Sequence, residues 1–257
     1  MTTIHELADY ADDILGTATT PDYPTALNGL QIENRSEITR IVAAVDFSTR
    51  AIHGAIDERA NVIIVHHGMF WGGLDPLKGS AYQRIRLLID NDIAVYSSHL
   101  PLDRHPELGN NALLSKELGL IPSGLFAKYD SIFIGVSGEA SVPTSVLAER
   151  ARRFASTYSS DVRTTSIEKN RCTKRWAICS GAGASTETLR EAEEMRIDTL
   201  IVGEGPHWTA VRAEESDIAI IYAGHYATET FGVRALAEHL ADKYNVPWSF
   251  VAAPTGL

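Results

Sequence analysis

His66 and His67 close an apolar run, Ile63, Ile64 and Val65, and hand the chain to Gly68. A strand that ends on two imidazoles puts two potential metal ligands where the backbone turns. The pattern recurs: the run 93–96 leads to His99 and Asp103, the run 200–202 to Glu204 and His207, and the run 218–222 to His225 and Glu229. In open α/β sheets ligands gather outside the carboxyl ends of the strands. Four exits carrying His, Asp and Glu therefore define a candidate site.

Imidazole nitrogens and carboxylate oxygens together suit divalent zinc, iron or manganese, and a carboxylate can bridge two such ions. His66, His67, Asp103, His225 and Glu229 would suffice for a two-ion centre with open positions, at which water can lose a proton near neutral pH. Successive side chains of a strand alternate in direction, so His66 and His67 could diverge to separate ions as the chain turns at Gly68. His99 and Asp103, broken by Pro101, read as a strand exit. Thr228 is a natural N-cap that would put Glu229 in a first helical turn, where the helix dipole favours a carboxylate with or without metal.

Other features read as structural. His5, His53, His105 and His239 lie in predicted helices or loops without partners of this kind. HExxH and GxxxxGK[ST] are absent. The segment 180–185, Ser-Gly-Ala-Gly-Ala-Ser, lacks the full dinucleotide fingerprint and reads as a tight turn with Ser185 or Thr186 capping a helix, although amides at such a junction can hold an anion. The loop from Met69 to Leu74 is apolar and borders the doublet. It could wall a substrate pocket or pack against another subunit.

These residues need a frame. Thr3 with Glu6 forms a capping box, followed by Ile4, Leu7, Ala8, Ala11, Ile14 and Leu15 at helical spacing. A strand is expected near 30–32, and the chain then alternates strand 41–45, helix 49–60, strand 62–65, helix 81–90 and strand 93–96. Near-continuous apolar strands interleaved with helices indicate largely parallel, two-sided sheets. Helix 110–118 ends at Gly119, and Pro122-Ser123-Gly124 punctuates the chain. A second series of strands and helices follows, and the carboxyl-terminal segment is expected to return to the first lobe. The expected organisation is α/β, with residues 1–124 and 217–257 as one lobe carrying most of the metal ligands and 125–216 as the other.

The chain has 257 residues, 44% of them hydrophobic and 22% charged, enough to bury a substantial core. Its net charge of −10 gives no footprint for sequence-independent nucleic-acid binding. Arg150, Arg152 and Arg153 sit on a predicted helix and read as a solvated face. Cys172 and Cys179 are the only cysteines, and their odd spacing puts them on opposite faces of one strand, which opposes a local disulfide. The start, MTTIHELADY, has no signal-peptide pattern, and no stretch approaches a membrane span. A cytoplasmic location is the expectation.

The segments VHHGMFW, YSSHLPLDRHPELGNNALL, VGEGPHW and GHYATE together resemble the Nif-three-like dinuclear metal-centre family, also known as the GTP cyclohydrolase I type-two homologue family. The resemblance runs from the amino-terminal helix and the LNGLQIE turn to the final strand, and is closest to compact bacterial members without a large middle insert. It implies two α/β lobes with the metal site in the cleft between them, two divalent ions per chain and a ring-shaped homohexamer. Matched residue by residue, it places the metal ligands on His66, His67, Asp103, His225 and Glu229. Glu204 and His207 fall on a segment bordering the site and are expected in catalytic assistance or substrate contact, and His99 in a pocket or outer-shell role. GTP ring opening is implied by the family's name alone, since true GTP cyclohydrolase I uses a cysteine-containing zinc site that Cys172 and Cys179 do not match.

The expected function is a dinuclear-metal-dependent hydrolase acting on a small phosphorylated or heterocyclic metabolite. The alternative is a non-catalytic hexameric metal-binding scaffold or metallochaperone. No membrane partner is expected, and nucleic acid ranks last.

Overall fold

The computed structural model describes residues 2–73 and 75–256. Among them the strands are, in chain order, β1 (Gly29–Ile32), β2 (Ile41–Asp46), β3 (Val62–His67), β4 (Ala94–Ser97), β5 (Gly124–Tyr129), β6 (Ile132–Pro143), β7 (Arg163–Thr164), β8 (Cys172–Cys179), β9 (Thr199–Val202), β10 (Ala219–Tyr222) and β11 (Trp248–Phe250). They fall into two α/β lobes. One runs up to Leu102 and resumes over Gly232–Ala253; the other is Asp103–Phe231 with the residues from Pro254 onward.

The first lobe's sheet has the order β1-β4-β3-β2-β11. Its strands are parallel except β1, which runs antiparallel to β4 at one edge. Val42, Ile63, Ile64, Val65 and Val95 are fully buried, the two-sided burial expected when crossovers cover both faces of a parallel sheet. The helix Ile4–Leu15 opens with the Thr3–Glu6 capping box and buries Ile4, Leu7, Ala8, Ala11 and Leu15. The helix Thr49–Asp57 is capped by Ser48, whose side chain accepts the Ala51 amide proton. It comes so close to the chain after β11 that a Cβ on Gly54 would stand 2.5 Å from a Val251 methyl. Glycine there is a packing requirement.

The second lobe's sheet has the order β5-β6-β8-β9-β10-β7 and is mixed. β8, β9 and β10 are parallel, β5 and β6 form a hairpin, and β7 closes the far edge antiparallel to β10. Trp176, Ile178, Ile201 and Ile221 anchor one core face with the helix Thr144–Ser156, while Phe126, Leu189, Leu200 and Ile220 line the other. Cys172 is exposed and Cys179 buried, and both are free.

Two boundaries differ from the sequence reading. The second lobe begins at Asp103, because Asp103 and the helix Asn110–Glu117 make their hydrogen bonds with residues of that lobe: Asn111 donates to the Ile134 carbonyl and accepts the Ser180 amide. The return to the first lobe comes at Gly232 rather than 217, because β10 is hydrogen-bonded between β9 and β7. Single-turn helices also replace two expected strand exits, at Leu100–Asp103 and His225–Thr228. Glu229 follows the second and sits between helices, so Thr228 is not its N-cap. Instead the Thr228 hydroxyl donates to the His225 carbonyl and accepts the Gly181 amide proton. No helix among the described residues is long and apolar enough to cross a membrane.

Gly54→Ala should cost about 1–3 kcal/mol of stability, as overpacking against Val251 does elsewhere. Urea unfolding would check it, and a wild-type midpoint would show that the helix has room to shift.

Candidate metal centre

The β2–β3 register places Asp46 opposite His67, and the Asp46 carboxylate accepts a hydrogen bond from His67 Nδ1 at 2.8 Å. His66 Nδ1 donates to the Ser98 carbonyl at 2.9 Å, just past the end of the neighbouring strand β4. Because each oxygen can only accept, each ring carries its proton on Nδ1 and keeps its Nε2 lone pair for something else. Both histidines belong to β3, yet their rings do not diverge: the centroids lie 4.8 Å apart.

His99 joins them. Its Nδ1 donates to Asp22 Oδ1 at 2.8 Å, and its ring lies 4.8 Å from that of His66 and 5.6 Å from that of His67. One ligand-capable atom from each of these three histidines falls within 4.8 Å of the others, a group able to hold a metal ion. Asp22 is itself deeply buried and held by the Asn28 side chain and by the Tyr23 and Leu100 amides. Burial pushes its carboxyl up, and the hydrogen bond from His99 leads the contacts that outweigh this and leave it below its ordinary value.

The second lobe carries the carboxylate-rich half. His225 donates Nδ1–H to Glu204 Oε1 at 2.8 Å, and its Nε2 faces Glu229 Oε2 at 3.1 Å. Burial pulls this imidazole's pKa down, but the charge and hydrogen bond of Glu229, helped by Glu204, push it up to about 9. Asp103 Oδ1 accepts from Asn110 at 2.8 Å and from the Ser180 hydroxyl at 3.3 Å. The next residue, Gly181, has a positive φ of 60°, and a Cβ there would run into Glu229 Oε1. The turn after β8 thus meets both Asp103 and Glu229. Only a glycine permits the approach.

Of the seven expected site residues, the structure groups His66 with His67 in one lobe and Glu204, His225 and Glu229 in the other, where Asp103 reaches the same turn at Ser180–Gly181. His207 begins the helix His207–Glu215, exposed, and lines with Glu204 a cleft of about 500 Å³ that also includes Tyr222 and Arg163. Asp46 and Asp22 escaped the sequence reading, as did the link between the 180–185 turn and the carboxylates. The first two are single carboxylates distant in sequence from the histidines they hold, and no spacing rule links them. The turn and Glu229 were both visible in the sequence, but not the approach of Glu229 to Gly181. Three of the remaining histidines make structural contacts: His239 bonds the Tyr10 hydroxyl, His105 accepts the Glu107 and Leu108 amides, and His5 pairs with Glu33 at the surface.

Comparison with known proteins gives the family. The family model described as Duf34/NIF3 (NGG1p interacting factor 3) matches residues 2–255. The chain belongs to this family. Relatives named GTP cyclohydrolase 1 type 2 homolog include one from Deinococcus radiodurans, 36% identical over 98% of this chain and 94% of its own length. Another, from Halobacterium salinarum, is 39% identical with the same coverage. A solved structure described as protein ybgI, of unknown function, superposes with a TM-score of 0.89 at 32% identity over the whole of both chains. Family membership and the two-lobed α/β architecture therefore agree.

In the metal-free protein, a histidine NMR titration should find His225 deprotonating near pH 9, and Glu229→Gln should lower that value. The raised value fixes the sign of the linkage. The pair's contribution to stability is complete below the ordinary imidazole value of 6.5 and is lost as pH rises through about 9. An unchanged titration in the variant would mean that Glu229 does not govern this imidazole.

Proposed function

We propose that His66, His67, Asp103, His225 and Glu229 together hold two divalent ions, zinc, iron or manganese, and that the protein is a hydrolase acting on a small phosphorylated or heterocyclic metabolite. The observation that carries this reading is the anchoring of imidazole Nδ1 atoms. His66 and His67 each give Nδ1–H to an oxygen acceptor and turn Nε2 away from it, and His225 gives Nδ1–H to Glu204 with Nε2 set against the Glu229 carboxylate, which is how metal-ligating histidines are oriented and made more basic. The carboxylates add hard oxygen donors, and the mixed N/O set fits these ions better than it fits copper(I) or an iron–sulfur cluster.

Bound there, the ions would supply Lewis acidity and a water acidified to near-neutral pKa. The chain's own residues have separable tasks. Asp46 and Glu204 keep His67 and His225 in one tautomer. Asn110 and the Ser180 hydroxyl aim Asp103. Glu204 and His207, side by side on the second lobe's cleft, are placed to contact substrate or pass a proton, and His99 serves a pocket role. Assembly as a homohexamer and a cytoplasmic location belong to the same proposal.

Metal analysis of gently purified protein should find more than one ion per chain, with the content falling in His67→Ala and Asp103→Asn. Asp46→Asn should retain the fold and lose about 10–100-fold in metal affinity, the usual effect of removing such a partner. Turnover against a phosphoester and nucleoside panel that vanishes in His67→Ala supports the hydrolase. Tight metal binding with no turnover across the panel makes the protein a scaffold or metallochaperone, and a metal-free wild type overturns the whole reading.

A further inference from the structure

The histidine cluster of the first lobe is rimmed by two aromatic side chains that the reading above leaves unused. Trp71 packs its indole 4.8 Å from the His67 ring and 4.6 Å from the His99 ring, and Tyr23 lies 5.8 Å from His99 and 6.2 Å from Trp71. These rings are inclined to one another by 44–83°, with Tyr23 and Trp71 nearly perpendicular at 83°. None of the contacts of Trp71 is a parallel stack. The indole is 38% exposed and the phenol 48%, and Leu27 on the same loop as Tyr23 is 49% exposed. Large apolar surface beside a polar cluster is costly to leave in water and commonly marks a binding surface.

The wall is also built, not draped. The Asp22 carboxylate accepts the Tyr23 amide, the Leu100 amide, the Asn28 side chain and His99 Nδ1, while Asn28 Oδ1 accepts the His99 amide. One buried carboxylate therefore fixes the loop that bears Tyr23 and the imidazole it rests on. On the other side the Gln31 side chain accepts the Met69 amide, which ties the start of the loop bearing Trp71 to β1; Leu74, later in that loop, lies outside the described residues. Two loops distant in sequence are each pinned so that their aromatic residues meet over the histidines.

We propose that Trp71 and Tyr23 form a stacking wall for the flat, unsaturated ring of the substrate, so that the ligand class is a heteroaromatic compound and not an aliphatic phosphate. This rests on the metal-centre reading, since it is the ions that would hold the rest of the ligand. A cationic guest, the other use of exposed aromatic faces, is disfavoured beside ions of the same charge. A flat neutral ring gains from the indole face without that repulsion, and its N–H groups find an acceptor in His99 Nε2, left over by the proton that Nδ1 gives to Asp22.

Adenosine and guanosine 5′-monophosphates can be compared with ribose 5-phosphate, which has the same sugar and phosphate without the ring, by calorimetry on the zinc-loaded protein. The nucleotides should bind about tenfold or more tightly, the size of one base–aromatic stack. Trp71→Ala should bring them down to the affinity of ribose 5-phosphate and leave ribose 5-phosphate and zinc content unchanged, and Trp71→Phe should keep most of the preference. Equal binding of ringed and ringless ligands by wild type, or equal weakening of both in Trp71→Ala, overturns the wall. So does a Trp71→Ala variant whose assembled mass changes while its ring preference stays, because the face would then belong to a second copy of the chain. Zinc content of each sample reports the metal centre separately. Adenosine against ribose, which carry no phosphate for the ions to hold, reads the wall even where no zinc binds.

Discussion

Everything at the candidate centre depends on hydrogen bonds that commit imidazole Nδ1 atoms to oxygen acceptors. Four histidines share the arrangement, on Ser98 O, Asp46, Asp22 and Glu204. A neutral imidazole has one donor and one acceptor nitrogen, so fixing the donor fixes the acceptor and the plane of the ring. Sheet register brings two of those acceptors within reach. The β2–β3 register sets Asp46 across from His67, and the end of β4 carries Ser98 to His66.

The second constraint is steric. The turn after β8 approaches so closely that Gly181 has no room for a side chain beside Glu229, and the adjacent Ser180 hydroxyl reaches Asp103. Carboxylates buried in this way need donors, since an unpaired charge away from water is expensive. Asp103 finds them in Asn110 and Ser180. Glu229 finds a charged one in His225, whose raised pKa is the counterpart of that pairing.

The division of labour between lobes follows from these two constraints. Parallel strands packed on both faces make the first lobe a rigid holder for three imidazoles, and the second lobe offers a glycine-bearing turn beside Asp103 and Glu229. The exposed aromatic pair lies in the first lobe, and its Tyr23 side is held by Asp22, the same residue that orients His99, while its Trp71 side is tied through Met69 to Gln31.

Much of this was legible in the chain. Alternating apolar runs and capping signals such as Thr3 with Glu6 identify the α/β class, because burial on both faces of a parallel strand demands continuous apolar residues and local caps need only neighbours in sequence. The doublet at His66–His67 and the His and acid residues at later strand ends mark the candidate ligands, since their position depends on the strand they follow. Tertiary structure alone decided the rest. That Asp46 serves His67, that Asp22 serves His99, and that Gly181 makes way for Glu229 are matters of register and loop approach between residues 21 to 77 positions apart, distances over which no local spacing rule acts. The lobe boundaries moved for the same reason: hydrogen-bond partners, and not turn residues such as Pro122 and Gly124, determine which sheet a segment joins.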